Sequence, residues 1–373
     1  MKLTINQDTF KAGINIVENA VAAKSAMPIL AHILLVARNG ILKLAGTNLE
    51  VGITHWMQAE VTDEGAVTLP AKLLSDVVGN LPNAPVTLTL NSVTQTVMIA
   101  CGDFKTNIKG FEAEEYPPIP TAENRGDALT FSAPEMAAAI RQVAFAAGSD
   151  DSRPVLTGVL FRITQGNLTL AAADGFRLAT YTFPLGEPTR TVADLVIPAR
   201  CVREVGTIAA ATEGRIGMVC SPGMSQVIFF TEHTEVVSRL IDGKFPDFER
   251  IIPQQHSTRC EINTAALSKA VKLASYFTDQ AIRLEMAPAT MGGRITVSAN
   301  ASEVGDNTGA IDSSIAGDPG LIALNAKYVA EVLGAVGTKQ VVIETRSAQS
   351  PAVIRPLGEG AKGLHVIMPM GIR

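Results

Sequence analysis

Apolar residues at Phe10, Ile14, Val17 and Val21 step by four, three and four positions, the spacing that lines one face of a helix. Met136, Ile140, Val143 and Ala147 repeat those steps 126 positions on, and Leu267, Val271, Ala274 and Thr278 repeat them again with a polar last member. A second helical signature also occurs three times. PAKLLSDVV (70–78), PARCVREVG (198–206) and NAKYVAEVL (325–333) align without a gap, each with alanine, a cation, an apolar pair, an acid and valine. Pro70 and Pro198 stand where a helix begins, because the missing N–H costs nothing there.

Between the helices the pattern switches to period two, as in Leu42-x-Leu44, Leu168-x-Leu170 and Ile295-x-Val297, and this predicts strands. PILAHILLVARNGILKLAGTNLE (28–50) and PVLTGVLFRITQGNLTLAAADGF (154–176) are the same strand pair, turning at Gly40 and Gly166. DQAIRLEMAPATMGGRITVSAN (279–300) is a looser third copy. IKGFEAEEYPPIP (108–120) and IDGKFPDFERIIP (241–253) close the first two copies, whereas the third ends in HVIMPMGIR. The repeat predicts three α+β domains at 1–122, 128–254 and 259–373. In each, two helices pack on one face of a mainly antiparallel sheet. A unit of about 120 residues can enclose its own core.

Charge modifies this picture. The formal net charge is −5, yet cations recur at matching helical positions. Lys72, Arg200 and Lys327 correspond in the second helices, with Arg203 a turn further on, and Arg141 and Lys272 correspond in the first helices, where the first copy has Asn15. Lys24 follows the first helix. A net-acidic chain that gathers cations on its helical face is organised for a polyanion on that face alone. Aromatic content of 5% with a single Trp disfavours base stacking, and no recognition-helix or zinc-finger spacing is present, so contacts would be to phosphate without sequence reading.

Other chemistry is poorly represented. The five histidines show no metal-binding spacing, and P-loop, G-x-G-x-x-G and G-x-S-x-G motifs are missing from the sequence, so neither a metal nor another cofactor is expected. The four cysteines form no C-x-x-C pair and read as reduced, mostly buried thiols. A hydrolase using Asp174 with Arg177 and Asp242 with Asp247 is one alternative, but D-G is a turn dipeptide in both places. A protein-binding scaffold without a DNA role is another, and it leaves the repeated cations unexplained. The N-terminus lacks a signal peptide's apolar stretch and no window approaches 18 unbroken apolar residues, so a soluble, cytoplasmic chain without membrane contact is expected.

Several strings are specific: RPVLTGVLF (153–161), ADGFRLA (173–179), LIDGKFPDFERIIP (240–253), LNAKYVAEVL (324–333), SPAVIRP (350–356) and VIMPM (366–370). In this order they resemble the bacterial DNA polymerase III β subunit, the sliding-clamp family, over the whole chain. The resemblance implies three clamp domains per chain and a head-to-tail homodimer closed into a six-domain ring, with helices inside and sheets outside. Simple geometry agrees. Six helices spaced ~9–10 Å apart leave a hole of only roughly 8 Å, whereas twelve leave roughly 25 Å, enough for a hydrated duplex. Such a ring is a non-catalytic processivity subunit that encircles duplex DNA and tethers the replicative polymerase, the clamp loader and other partners. The DNA-facing residues would be Lys24, Lys72, Arg141, Arg153, Arg200, Arg203, Lys272 and Lys327.

The resemblance also implies a groove for a short extended peptide carried by partners. Carried over by position, it comprises Leu156, then Ala173, Gly175, Phe176, Arg177 and Leu178, then Pro246, Arg250 and Ile251. Ser350, Pro351, Val366, Met368, Pro369 and Met370 complete it. Aliphatic residues with two thioethers suit an adaptable slot, and Arg177 and Arg250 are expected to pin polar groups at its rim. Two positions depart from the family: Ala173 replaces a small hydroxyl residue, and the tail reads Met370, Gly371, Ile372, Arg373 where M-R and an apolar residue are usual. Tyr276 and Phe277 are the candidates for the subunit interface.

Overall fold

The computed structural model describes residues 1–22, 26–122, 128–185, 192–221, 223–278, 280–301 and 303–371, without the side chains of Val192, Ala193 and Ala289. The predicted linker between the first two domains falls largely in 123–127, outside this set. The chain forms two compact units: Met1–Pro134 with Thr207–Leu240, and Glu135–Gly206 with Ile241–Arg373.

Six α-helices occur among the described residues, two for each copy of the repeat: α1 (Gln7–Glu18), α2 (Ala71–Gly79), α3 (Ala133–Val143), α4 (Ala199–Ala210), α5 (Thr264–Ser275) and α6 (Ala326–Ala335). Their apolar stripes are the predicted ones. α1 buries Phe10, Ile14 and Val17, and α5 buries Leu267, Val271 and Ala274. The fourth members, Val21, Ala147 and Thr278, lie beyond the helix ends. Pro70 is the residue before the first turn of α2, and in the third copy Asn325 replaces it as a true cap, its side chain accepting from the Tyr328 N–H at 3.2 Å.

In the first unit, a five-stranded sheet runs Glu60–Asp63, Lys2–Asn6, Pro85–Asn91, Thr96–Cys101, Phe104–Lys109. An eight-stranded sheet runs Leu129–Ser132, Arg215–Cys220, Gln226–Phe230, Thr234–Arg239, Val51–Gln58, Ile41–Thr47, His32–Arg38, Gly65–Pro70. In the second unit, a nine-stranded sheet runs Val192–Pro198, Gly158–Thr164, Asn167–Ala173, Arg177–Pro184, Leu364–Ile367, Ala352–Leu357, Gln340–Thr345, Thr258–Asn263, Ser314–Gly317. A four-stranded sheet completes it: Gly305–Asp312, Arg294–Ala301, Ala281–Ala287, Gly320–Asn325. The repeated hairpins turn as their sequences require. Asn39-Gly40 and Gln165-Gly166 both hold two consecutive positive φ angles, 50° and 74° in the first and 50° and 75° in the second, the backbone of a two-residue type I′ turn. α1 lies directly on its sheet at Gly46, where a Cβ would stand 2.8 Å from the Val17 carbonyl oxygen.

Both long sheets are seams between copies. Thr234–Arg239 pairs with Val51–Gln58 in the first unit, and Arg177–Pro184 pairs with Leu364–Ile367 in the second. Each seam holds a histidine that burial keeps neutral, its pKa lowered to about 4. His55 accepts or donates at 2.8 Å to the Thr234 hydroxyl, with His233 adding repulsion. His365 is fully buried and stacks on Phe145 at 5.8 Å, and neither ring nitrogen has a hydrogen-bond partner among the described residues. Because the unfolded chain takes up these protons near pH 6.5 and the folded chain only near 4, stability falls as pH drops through that window. Each histidine is expected to remove about 3 kcal/mol by the bottom of it. Urea denaturation between pH 8 and pH 4 measures this loss, and His365→Leu should remove about 3 kcal/mol of it while leaving stability at pH 7.5 essentially unchanged.

Candidate functional site

The groove residues implied by the sequence all fall in the second unit, and Ala173, Leu178 and Val366 lie on the face of the nine-stranded sheet opposite the α5–α6 core. Strand alternation explains the division. Ile343, Ile354 and Ile367 point into the core built on α5 and α6, and the next residues along each strand point the other way. On that outer face, cross-strand partners form one row: Ala173 opposite Leu178, Leu178 opposite Val366, Val366 opposite Val353. Leu160, Ala171, Val196, Phe245 and Phe248 join them in one apolar cluster, with Val155, Ile241, Ile252 and Leu364 packed against it. Phe245 and Phe248 meet edge to face with ring centroids 6.3 Å apart, so the connecting segment is anchored to the sheet by aromatic contact.

Around this floor apolar side chains remain in water: Phe176 is 62% exposed, Ile251 49% and Met368 42%. The Met368 N–H donates to the Phe176 carbonyl at 2.8 Å, extending the seam by one residue and setting those two side chains near each other. Pro246 is exposed, Pro351, Pro369 and Met370 are half-buried, and Ser350 bonds Ser347 through their hydroxyls at 2.8 Å. Leu156 sits half-buried in a 3₁₀ turn whose carbonyl accepts from the Gly148 N–H at 2.8 Å. Gly175 supplies the positive φ of 96° that the Asp174-Gly175 turn needs. Val353, Phe245 and Phe248 belong to this apolar cluster and were not expected from the sequence. The F-x-x-F spacing of 245–248 was the available signal.

The expected rim role of Arg177 is corrected by the structure. Its side chain is only 9% exposed and every donor side of the guanidinium is occupied. Nε donates to Asp174 at 2.9 Å, Nη1 to Glu331 of α6, and Nη2 to the Phe145 carbonyl at 2.7 Å, while the plane lies 4.3 Å from the Tyr328 ring. Arg177 follows the same alternation as Ile367, its cross-strand partner, and so points toward the helices. It ties the middle copy to the third. Asp174 also accepts from the backbone N–H groups of Phe176 and Arg177, which is the turn chemistry set against the hydrolase alternative. Arg250 is exposed at the surface and pairs with Asp247 at 2.7 Å.

The cations divide. Lys72, Arg200 and Lys327 are exposed at matching places on α2, α4 and α6, and Lys272 is exposed on α5. Lys72 pairs with Asp76 one turn on at 2.8 Å, and this carboxylate raises its pKa. Arg141 donates to the Ala335 carbonyl at 3.2 Å and Arg203 to that of Ala144 at 3.2 Å, so both also serve local packing. Arg153 lies on no helix. It precedes the 3₁₀ turn Pro154–Thr157, pairs with Asp150 at 3.3 Å and reaches the Asp174 carbonyl, beside the groove. Lys24 is outside the described residues. Tyr276, just after α5, is 65% exposed, whereas Phe277 packs on the core of the third copy.

Cys101, Cys201 and Cys260 are buried and Cys220 is half-buried, all as reduced thiols, and burial pushes the Cys260 thiol up to about 11. No helix among the described residues is long and apolar enough to cross a membrane.

Comparison with known proteins places the whole chain. Family models for the N-terminal, central and C-terminal domains of the DNA polymerase III beta subunit match residues 1–120, 130–247 and 249–371. The beta sliding clamp of Synechococcus elongatus is 31% identical, covering 100% of both chains, and that of Bacillus subtilis is 28% identical over 95% of this chain and 96% of its own. Among solved structures, the sliding clamp of Bacillus subtilis superposes with a TM-score of 0.89 at 27% identity, and the beta subunit of Thermotoga maritima with 0.88 at 25%, each covering 100% of both chains.

Proposed function

The chain belongs to the DNA polymerase III β-subunit family of sliding clamps, and on that premise we propose that two copies close head to tail into a ring around duplex DNA in the cytoplasm, with the outer face of the second unit holding partner peptides. The family is non-catalytic: its members are processivity subunits that keep the polymerase on its template. The three domains are proposed to divide at 1–122, 128–254 and 259–373.

The observation that carries the ring is sheet topology. Both long sheets are continuous through a seam between consecutive copies. The two shorter sheets instead end on Phe104–Lys109 and Gly305–Asp312, edge strands without a partner among the described residues. A long bare edge invites pairing with another chain. These two complement each other. The first carries Lys105 and Lys109, with Phe104 60% exposed, and the second carries Asp306 and Asp312, with Tyr276 exposed after the adjacent helix α5. Joining them in trans would repeat the seam between two copies, and a heterologous contact of this kind closes when the rotation permits. Phe277, already packed in its own core, is not needed for it.

Ring closure and not affinity would hold the DNA, which explains why a net-acidic protein suffices. Lys72, Arg200, Lys327 and Lys272 would centre the duplex through diffuse attraction to phosphate. The test is retention on nicked circular duplex DNA after incubation with a clamp loader and ATP, followed by release when the circle is linearised. Binding that survives linearisation, or no loading at all, sinks the reading.

The groove is proposed to comprise Leu156, Ala173, Gly175, Leu178 and Val366 as floor and wall, with Phe176, Pro246, Ile251, Met368, Pro369 and Met370 as its adaptable rim. Ser350, Pro351 and Arg250 lie at its ends. Deleting Pro369–Arg373 removes Met370, whose N–H bonds the Ala323 carbonyl at 2.8 Å. Binding of a partner peptide, followed by fluorescence anisotropy, is expected to disappear while sedimentation still reports a dimer. Loss of the dimer would show that the tail is structural.

A further inference from the structure

The apolar row of the groove does not stop at Val353. Val353 stands opposite Glu344 on the next strand, and Glu344 stands opposite Arg259 on the strand after that. One line of side chains therefore passes from Ala173 through Leu178, Val366 and Val353 straight into a charged group. There the segment Pro253–His256 borders a cleft of about 200 Å³, lined also by Glu344, Arg346, Pro351, Val353 and Arg355. Pro351 and Val353 belong to both the cleft and the groove.

The charges of this cleft do not balance. Glu344 is shared by Arg355 at 3.2 Å, Arg259 at 3.7 Å and the His256 ring at 3.7 Å. Arg259 also pairs with Glu261. Arg346 is exposed on the cleft wall and has no ion-pair partner among the described residues. Of the lining side chains, two guanidiniums, Arg346 and Arg355, thus face one carboxylate, Glu344, and Arg346 is the spare cation.

We propose that this cleft is an anion subsite of the groove, taking an Asp or Glu side chain that flanks the apolar anchor of a docked partner peptide, with Arg346 as its principal contact. The inference rests on the groove reading above. A peptide fits better than nucleic acid for two reasons. The cleft lies on the face opposite the core on which α5 and α6 pack, whereas the exposed helix cations lie on the helical side. The Glu344 carboxylate, fixed at the cleft floor with only 16% of its side chain exposed, repels a run of phosphates but is tolerated by one carboxylate held on Arg346.

The test uses the full-length protein and two extended synthetic peptides with the same leucine and phenylalanine anchors, one flanked by three serines and one by three aspartates, at each end in turn. At 50 mM salt the aspartate flank at one end is expected to tighten binding about two- to fivefold, the range of a rim ion pair, and the gain should fade by 500 mM. Arg346→Glu should erase the gain and leave the serine-flanked peptide unchanged. Equal binding of both peptides, or a gain that survives Arg346→Glu, overturns the subsite while the groove stands. If neither peptide binds, the groove itself fails and the subsite with it. A variant that loses affinity for a duplex oligonucleotide but keeps the aspartate gain marks the cleft as a nucleic-acid site and overturns the proposal.

Discussion

Replacing Arg177 with alanine is expected to cost about 3–5 kcal/mol of stability, the penalty for breaking a buried ion pair by removing one partner. Three groups lose their donor together: the carboxylates of Asp174 and Glu331 and the carbonyl of Phe145. The stacking on Tyr328 and Phe145 is lost too, at centroid distances of 4.3 and 5.4 Å. Lysine should not rescue, because one ammonium on a flexible stem cannot reproduce a planar fork that meets three acceptors in three directions. Urea denaturation of Arg177→Ala and Arg177→Lys measures the effect. A change within about 0.5 kcal/mol, coupled to weaker peptide binding, would instead restore Arg177 to the rim of the groove.

The second large effect is expected from Lys72, Arg200 and Lys327 replaced together by glutamate. A dimer then reverses six cations on its second helices. Where each faces phosphate, the slope of log K against log salt for duplex association should flatten by about 0.9 per cation. Loading onto nicked circles should fall with it, whereas rings that do close stay linked to the circle. The folded state should barely respond, since exposed helix substitutions usually shift stability by less than about 0.5 kcal/mol each. Thermal denaturation alongside the retention assay separates the two. Unchanged loading would mean that these helices do not face the DNA.

Much of this architecture was legible from spacing. Helix and strand periods differ, so α1, α3 and α5 announced themselves by steps of four, three and four, and the hairpins by a polar turn at a fixed offset. The helix ends were not legible. Ala20 is fully buried although α1 ends at Glu18, and Ala147 is 9% exposed although α3 ends at Val143. Apolar spacing reports what faces the core, and residues after a helix end can face it as well. The floor of the proposed groove was legible only through the family strings, and Val353 within SPAVIRP was passed over because nothing local distinguishes a floor valine from a core valine.

By itself, the sequence determined the three-fold repeat, the α+β class and the cations that recur on the second helices. These follow from local periods and from identity between copies, which need no knowledge of who pairs with whom. Only the tertiary structure decided what each strand residue faces. Arg177 and Leu178 are neighbours in one motif, yet alternation sends one inward to Glu331, 154 residues away, and the other outward to Val366. The same pairing carries the apolar row into Glu344 and Arg259, and it leaves Phe104–Lys109 and Gly305–Asp312 with edges bare among the described residues. Cross-strand partners are contacts between distant segments, and their register is settled only when the sheets form.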